Sequence, residues 1–312
     1  MLTIFLTIAP VFLMVAAGYG ARKANMMPEG SGILLARFVT WIALPVLTFD
    51  IVVRSDWARL WDSRFAIASL GGSLVVFGIG MIIGRLRGLA VADIAIDGLN
   101  ASYSNAAYVG LPLFALVIGP QSAPYVIIAA TLTLMTLFAC AVIAIELGHH
   151  RDQGMVHALG KAITGIATNP VMVGPVLGLL WLLSGAALPM PVAAFTHLLG
   201  AAASPAALVA IGLFLAERPL RESVTNRFVL LLTTAKLLLH PLLSAGLVYG
   251  LLGMRGLPAL MAVAIGALPT GTGPFMMAGF YARDGRVTSG TILVTTLVSV
   301  FTLSVILSIL PH

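Results

Sequence analysis

A group of polar side chains interrupts two of the most apolar stretches of this chain. The first stretch reads NASYSNAAYVGLPLFALVIG and the second reads MAVAIGALPTGTGPFMMAGFY. The polar side chains of interest are Ser102, Ser104, Asn105, Tyr108, Thr270 and Thr272. Hydroxyl and amide groups both donate and accept hydrogen bonds, so a cluster of them can hold a small polar solute. The residue types therefore predict a substrate-binding site rather than a catalytic one.

The same two stretches contain the residues that disrupt helices most strongly: Gly110, Pro112, Pro269, Gly271, Gly273 and Pro274. Proline removes a backbone donor and clashes with the preceding turn, and glycine loses most entropy in a helix. Each stretch is predicted to break near its middle, with second halves beginning at 113–115 and 275–277. Backbone groups freed in hydrocarbon need partners, so such breaks belong at a protein-lined cavity. The alternative is that the prolines only kink two packed helices.

The elements around these stretches are predicted to be membrane-spanning helices. Hydrophobic residues make up 60% of the 312 residues and charged residues only 9%, far from the roughly 25% charged residues of soluble domains. The net charge of +6 is explained by short basic loops and does not indicate nucleic-acid binding. Apolar blocks bounded by charges give ten spans: 2–21, 31–53, 65–84, 94–119, 123–146, 163–184, 191–215, 228–253, 257–281 and 287–310.

Weak internal matches indicate that the two halves of the chain repeat one another. IAPVFLMVAAG at 8–18 aligns with TNPVMVGPVLG at 168–178, and the same offset pairs Pro45 with Pro205. Because five spans separate the copies, the second copy enters the membrane from the opposite side. The sequence thus predicts an all-α membrane protein with two inverted five-helix repeats, 1–146 and 163–312, joined by a cytoplasmic linker at 147–162.

The predicted crossing of spans four and nine has an electrostatic consequence. Two broken helices at corresponding positions of an inverted repeat present half-helix N-termini near the midplane, and these ends carry partial positive charge. An anion is therefore favoured at the crossing. Most Lys and Arg residues lie in loops of one side, which places both termini outside and the linker in the cytoplasm.

The quoted motifs carry a resemblance to a known family. NAAYVGLPL and ALPTGTGPFMMAGFY, together with RFVTWIALPVLTF and AKLLLHPLL, resemble the auxin efflux carriers, which include plant PIN-type carriers and bacterial permeases assigned to malate or malonate. The resemblance covers essentially all ten spans. It implies a fold similar to NhaA-type antiporters and bile-acid symporters, with a scaffold domain, a transport domain and an elevator motion. It also implies that Asn105 lies at the substrate site and that Pro112 and Pro269 are the crossover prolines.

Four charged or titratable residues are candidates for a supporting or coupling role. Lys236 lies about 12 Å into span eight and is expected to pair with an acid or with freed carbonyls, unless it snorkels to the interface. His240, one turn later, either relays a proton or packs as a hydrogen-bonded histidine. Asp97 either complements a helix dipole or couples an ion. Arg37 either snorkels or lies near substrate.

These observations favour a secondary carrier of small organic anions such as malate, malonate or auxin-like acids in a bacterial inner membrane. A channel or a membrane sensor of similar solutes is the alternative. The sequence offers no HExxH, GxSxG or cysteine cluster, so neither an enzyme, a metal site nor a cofactor is predicted. Membrane lipid is the expected surrounding, nucleic acid is not an expected partner, and a homodimer is implied by the resemblance alone.

Overall fold

Helices form the whole of the described chain apart from turns and one isolated bridge. The computed structural model describes residues 2–54, 62–149, 163–164, 170–217 and 225–309, without the side chains of residues 2–8, 108, 149 and 171. Most of the predicted linker at 147–162 therefore lies outside the described residues. The helices are α1 (Leu2–Lys23), α2 (Ser31–Arg54), α3 (Ser63–Leu86), α4a (Val91–Ser102), α4b (106–117), α5 (Ala123–His149), α6 (Pro170–Leu183), α7a (Met190–Ala201), α7b (Ala203–Ala216), α8 (Arg227–Leu251), α9a (Gly256–Gly266), α9b (Gly273–Phe280) and α10 (Arg286–Ile309).

Every predicted span contains helix where the structure describes it. Six helical segments of the described chain are long and apolar enough to cross a membrane, namely α2, α3, the segment Pro120–Gly148, the segment Met190–Ala216, α8 and α10. Their apolar side chains face outward as well as inward, which is expected for helices surrounded by lipid. The all-helical membrane class predicted from composition is confirmed.

The helices pack mainly within two groups. The first group contains α1, α2, α6 and α7, and the second contains α3, α4, α5, α8, α9 and α10. Glycine permits the closest approaches in the first group: a Cβ on Gly18 of α1 would lie 2.2 Å from the carbonyl oxygen of Val209 in α7b. A Cβ on Gly174 of α6 would lie 2.1 Å from the carbonyl oxygen of Pro45 in α2. Small residues at such crossings let membrane helices pack backbone to backbone.

Three prolines inside helices are accommodated by π-helical turns. Each of Pro45, Pro112 and Pro241 follows the end of a π-helical segment by two residues, the segments being Val39–Ala43, Ala106–Gly110 and Ala235–Leu239. A proline ring collides with the carbonyl four residues earlier in an α-helix. A wider turn moves that carbonyl away and needs no N–H from the proline.

This accommodation corrects the predicted break of span four. The chain leaves the helix at Tyr103–Asn105, and α4b begins at Ala106 rather than at 113–115. Gly110 and Pro112 therefore lie inside α4b, not in the interruption. Span nine breaks between Gly266 and Gly273, close to the prediction, with Pro269 and Gly271 in the interruption and Pro274 in the first turn of α9b.

Candidate functional site

The two helix interruptions lie against each other and pair through their backbones. Ser104 and Thr270 form an isolated antiparallel bridge. The N–H of Asn105 donates to the carbonyl of Pro269 at 2.8 Å, and the N–H of Gly271 donates to the carbonyl of Tyr103 at 3.0 Å. Each interruption thus satisfies backbone groups that the other interruption frees. This mutual pairing is how irregular backbone is tolerated away from water.

Three of the predicted binding hydroxyls donate to backbone carbonyls of the helices that meet at this crossing. Ser104 Oγ donates to the carbonyl of Ile265 at 2.8 Å, near the end of α9a. Thr270 Oγ1 donates to the carbonyl of Asn100 at 2.8 Å, near the end of α4a. Ser102 Oγ donates to the carbonyl of Gly98 in its own helix at 2.8 Å. The bonds from Ser104 and Thr270 thus join the two interrupted spans, whereas the bond from Ser102 stays within α4a.

A small cavity of about 50 Å³ lies beside the crossing, between the two helix groups. Among the predicted residues, Ser104, Asn105, Thr272 and Gly273 line it. The side chain of Tyr108 lies outside the described residues. The volume of the cavity suits a few water molecules and is below the roughly 300 Å³ of typical ligand sites. In this conformation the cavity is therefore smaller than a typical small-molecule site.

Polar side chains from four further positions complete the wall, and the sequence patterns did not identify them: Tyr103 before the break, Thr48 of α2, Thr131 of α5 and Ser204 of α7b. Among the side chains that the structure describes, no charged one lines this cavity. A signal for two of these residues did exist. Thr48 lies three residues after Pro45, and Ser204 directly precedes Pro205, the two prolines that the repeat matched.

Two hydrogen-bond donors of this wall have no protein partner. Asn105 Nδ2 and Ser204 Oγ are buried without a hydrogen bond in the described structure, and their residues are only 4% and 2% exposed. A buried polar atom without a partner costs about 1–3 kcal/mol. Both residues line the cavity, so an acceptor that reaches these donors there, such as water or an oxygen of a solute, would satisfy them.

The helix ends reinforce this preference for an acceptor. α4b begins at Ala106 and α9b begins at Gly273, and both residues belong to segments that line the cavity. Helix N-termini carry partial positive charge. The site therefore offers donors and dipoles to an anion without a fully charged side chain.

Lys236 is fully buried behind the crossing and does not snorkel. Its Nζ donates to the carbonyl of Gly266 at 2.7 Å, at the C-terminal end of α9a, and lies 3.1 Å from His240 Nδ1. His240 Nε2 lies 3.3 Å from Ser73 Oγ, which donates to the carbonyl of Ser69 at 2.8 Å. Because the lysine donates to Nδ1, the hydrogen of a neutral His240 belongs on Nε2 and points at Ser73.

The remaining charged candidates lie away from the central cavity. Asp97 forms an ion pair with Arg87, whose guanidinium lies 3.9 Å from the centre of the Phe228 ring. Asp93 pairs with Arg283, and this hydrogen bond raises the pKa of the Arg283 guanidinium, so Arg283 stays charged. Among the described residues, no group of His, Cys, Asp and Glu could hold a metal ion.

Arg37 lines a second and larger cavity. This cleft of about 760 Å³ lies between α2 and α9b, and Thr40, Trp41 and Phe275 also line it. Arg37 is thus near the crossing without reaching the cavity of Asn105.

Comparisons with known proteins agree with this architecture. Residues 3–307 match the Mem_trans family, described as membrane transport protein. A protein of Rhizobium meliloti named "Putative malonate transporter" is 31% identical over 95% of this chain and 92% of its own length. An "Uncharacterized transporter" of Methanothermobacter thermautotrophicus is 26% identical over 95% of each chain. The mouse "Lysosomal cholesterol signaling protein" is 26% identical over 77% of this chain and 29% of its own length.

The resemblance read from the motifs is confirmed by a family match that covers nearly the whole chain. The chain belongs to the Mem_trans family of membrane transport proteins, the family of the auxin efflux carriers.

Proposed function

We propose that this membrane transport protein is a secondary carrier that moves small organic carboxylates by alternating access. The observation that carries the proposal is a pair of buried donors without a partner in the described structure, Asn105 Nδ2 and Ser204 Oγ, on residues that line a small cavity beside two crossed helix interruptions. Carboxylate oxygens accept hydrogen bonds from both donors, and the N-terminal ends of α4b and α9b stabilise the negative charge. The malonate named for the Rhizobium relative is a solute of this class.

The described lining holds no charged side chain, which favours weak binding that allows the solute to be released. A buried ion pair holds its partners through strong attraction at low dielectric. Neutral donors and helix dipoles give a weaker and more reversible attraction, which a carrier needs on both sides of the membrane.

The proposed architecture is two inverted repeats, 1–146 and 163–312, joined by the linker at 147–162. Exchanged packing supports it: α1 of the first half packs on α7b of the second, and α6 of the second half packs on α2 of the first. Gly18 and Gly174 provide the close approach in the two contacts. A pseudo-two-fold axis in the membrane plane relates such halves.

The two helix groups support an elevator motion as the mechanism. The group of α1, α2, α6 and α7 would remain fixed, and the group that contains the crossing would slide with its solute. The central cavity lies at the boundary of the two groups, with walls from both. Such a boundary can expose the cavity to one side of the membrane and then to the other.

Substrate binding tests the proposal through Asn105. We expect malonate or a related carboxylate to raise the thermal unfolding midpoint of the purified protein, and N105A to abolish this shift because it removes a donor from the cavity. S102A is the matched control, since Ser102 donates within its own helix and should keep the shift. An unchanged shift in N105A would remove Asn105 from the site.

A membrane sensor is the second candidate, because one relative carries the name of a signaling protein. Liposome measurements separate the functions. A carrier shows saturable counterflow of labelled carboxylate, whereas a sensor binds the same carboxylate without flux and a channel conducts without exchange.

A further inference from the structure

The second cavity has the features of a binding site in its own right. Its volume of about 760 Å³ falls within the ~300–1,000 Å³ range of small-molecule sites. One wall is α2 and the other is α9b, so the cleft lies on the same boundary between helix groups as the central cavity. Aromatic rings form much of the lining, with Trp41 lying 5.5 Å from Phe280 and Phe214 lying 5.6 Å from Phe275 between ring centres.

Arg37 is the unpaired cation of this cleft. It forms no hydrogen bond, ion pair or ring contact within the part of the chain that the structure describes. The other arginine of the lining, Arg283, is held by Asp93, and the acid of the lining, Asp284, is held by Arg286. The guanidinium of Arg37 is thus available to a carboxylate that enters from outside the protein.

A contact between α2 and α9b joins the linings of the cleft and the central cavity. Thr40 Oγ1 lies 3.5 Å from Met276 Sδ. On α2, Thr40 lines the cleft and its neighbour Val39 lines the central cavity. On α9b, Phe275 lines the cleft and its neighbour Met276 lines the central cavity. Arg37 lies one helical turn before Thr40 on the same helix. The cleft of Arg37 and the cavity of Asn105 therefore adjoin at this contact.

We propose that the cleft is an entry site for organic acids, in which Arg37 binds the carboxylate and the aromatic walls hold an apolar body. The wall chemistry selects among carboxylates. An apolar lining contributes little binding free energy for a compact dicarboxylate such as malonate, because it offers no partner to the second carboxylate. The single guanidinium matches a single carboxylate. The cleft thus favours monocarboxylates with an aromatic or aliphatic body.

Quenching of Trp41 fluorescence measures binding in the cleft without any need for transport. The probe is 4-nitrobenzoate, whose nitroaromatic ring quenches tryptophan, and 4-nitrobenzamide is its uncharged control. We expect saturable quenching by the acid alone, loss of that signal in W41F, and affinity lowered about tenfold or more in R37Q. R37K should keep part of the affinity because it retains the positive charge. It should lose the rest because lysine lacks the planar guanidinium that binds a carboxylate with two hydrogen bonds.

N105A separates this site from the central one. Quenching by 4-nitrobenzoate should persist in N105A, and malonate should displace the probe at least tenfold more weakly than benzoate does. Equal quenching in R37Q and wild type, loss of quenching in N105A, or equally effective displacement by malonate would overturn the proposal. Thermal unfolding of R37Q confirms that the variant is folded.

Phospholipid phosphate is the competing occupant of Arg37, and vesicle composition distinguishes it. Probe affinity should be equal in zwitterionic vesicles and in vesicles with anionic phospholipid. If anionic lipid removes the saturable quenching, Arg37 binds lipid and the proposal fails.

The role of the cleft in entry rests on the proposed function. R37Q should raise the half-saturating concentration for uptake of benzoate-like acids while preserving the maximal rate. If R37Q takes up these acids like wild type and N105A abolishes uptake, the carrier function stands and the entry role falls. Absence of flux in the wild-type protein would instead exclude the carrier function. The quenching experiment would then still show whether the cleft binds carboxylates.

Discussion

At the scale of single residues, the crossing divides its polar side chains between support and binding. Ser102, Ser104 and Thr270 donate to backbone carbonyls. Asn105 Nδ2 is left without a partner. The sequence predicted these residues as a binding cluster, but residue type does not distinguish a hydroxyl that donates to a backbone carbonyl from one that faces a cavity. That distinction depends on which carbonyls lie within reach after folding.

Lys236 tests whether buried contacts outside the cavity stabilise the crossing. K236M should lower both thermal stability and transport, because it leaves the Gly266 carbonyl and His240 Nδ1 without their donor. Each buried group left in this way costs about 1–3 kcal/mol. The thermal unfolding midpoint measures the loss of stability.

K23M is the control for this lysine, since Lys23 is exposed at the end of α1 and lies 5.7 Å from the centre of the Tyr19 ring. It should unfold within about 1 °C of wild type, because surface substitutions rarely change stability by more than ~0.5 kcal/mol. Equal midpoints for K236M and wild type would show that the buried contacts contribute no net stability.

At the scale of elements, the sequence predicted the two interruptions but misplaced one of them. Pro112 is a local signal, and the expectation that it ends a helix overlooked the π-helical turn that relieves its clash. The actual interruption at Tyr103–Asn105 contains no proline or glycine. It is stabilised by Pro269 and Gly271, which lie far away in sequence. A break created by long-range pairing leaves little trace in its own residues.

The start of α9b gives an element-scale prediction. A Cβ on Gly273 would lie 2.4 Å from Phe138 Cζ and 3.0 Å from Tyr103 Cε1. G273A should therefore push α9b away from α5 and weaken carboxylate binding, with a cost of overpacking of about 1–3 kcal/mol. Carboxylate-induced shifts of the unfolding midpoint measure both effects.

Gly279 supplies the matched control in the same helix, because a Cβ there meets nothing within 4 Å. G279A should retain binding and unfold close to wild type. Comparable losses in both variants would point to a general effect of alanine in α9b and not to the contact with Phe138.

At the scale of the whole molecule, the proposed orientation places the wide cleft on the cytoplasmic side. Its mouth includes Arg283 and Ile33, which lie next to loops on the side predicted to be cytoplasmic. The side of each loop is testable in a C140S background, where introduced cysteines are the sole thiols.

Thiol labelling in intact cells checks this orientation. A187C lies in the exposed connection between α6 and α7a, and M26C lies in the exposed connection between α1 and α2. An impermeant maleimide should label A187C and spare M26C until the membrane is opened. The reverse pattern would invert the topology and place the cleft outside.

The elevator motion makes the last and most demanding prediction, because it requires the two helix groups to slide past each other. Thr40 and Met276 belong to different groups and lie in contact. Joining T40C to M276C with a short, reducible bifunctional thiol reagent should abolish counterflow, and reduction should restore it. N100C with T288C is the control, since Asn100 and Thr288 contact one another within a single group and their linkage leaves the groups free to slide. Full counterflow in cross-linked T40C/M276C would exclude sliding at this boundary, and transport would then have to proceed by local opening around the crossing.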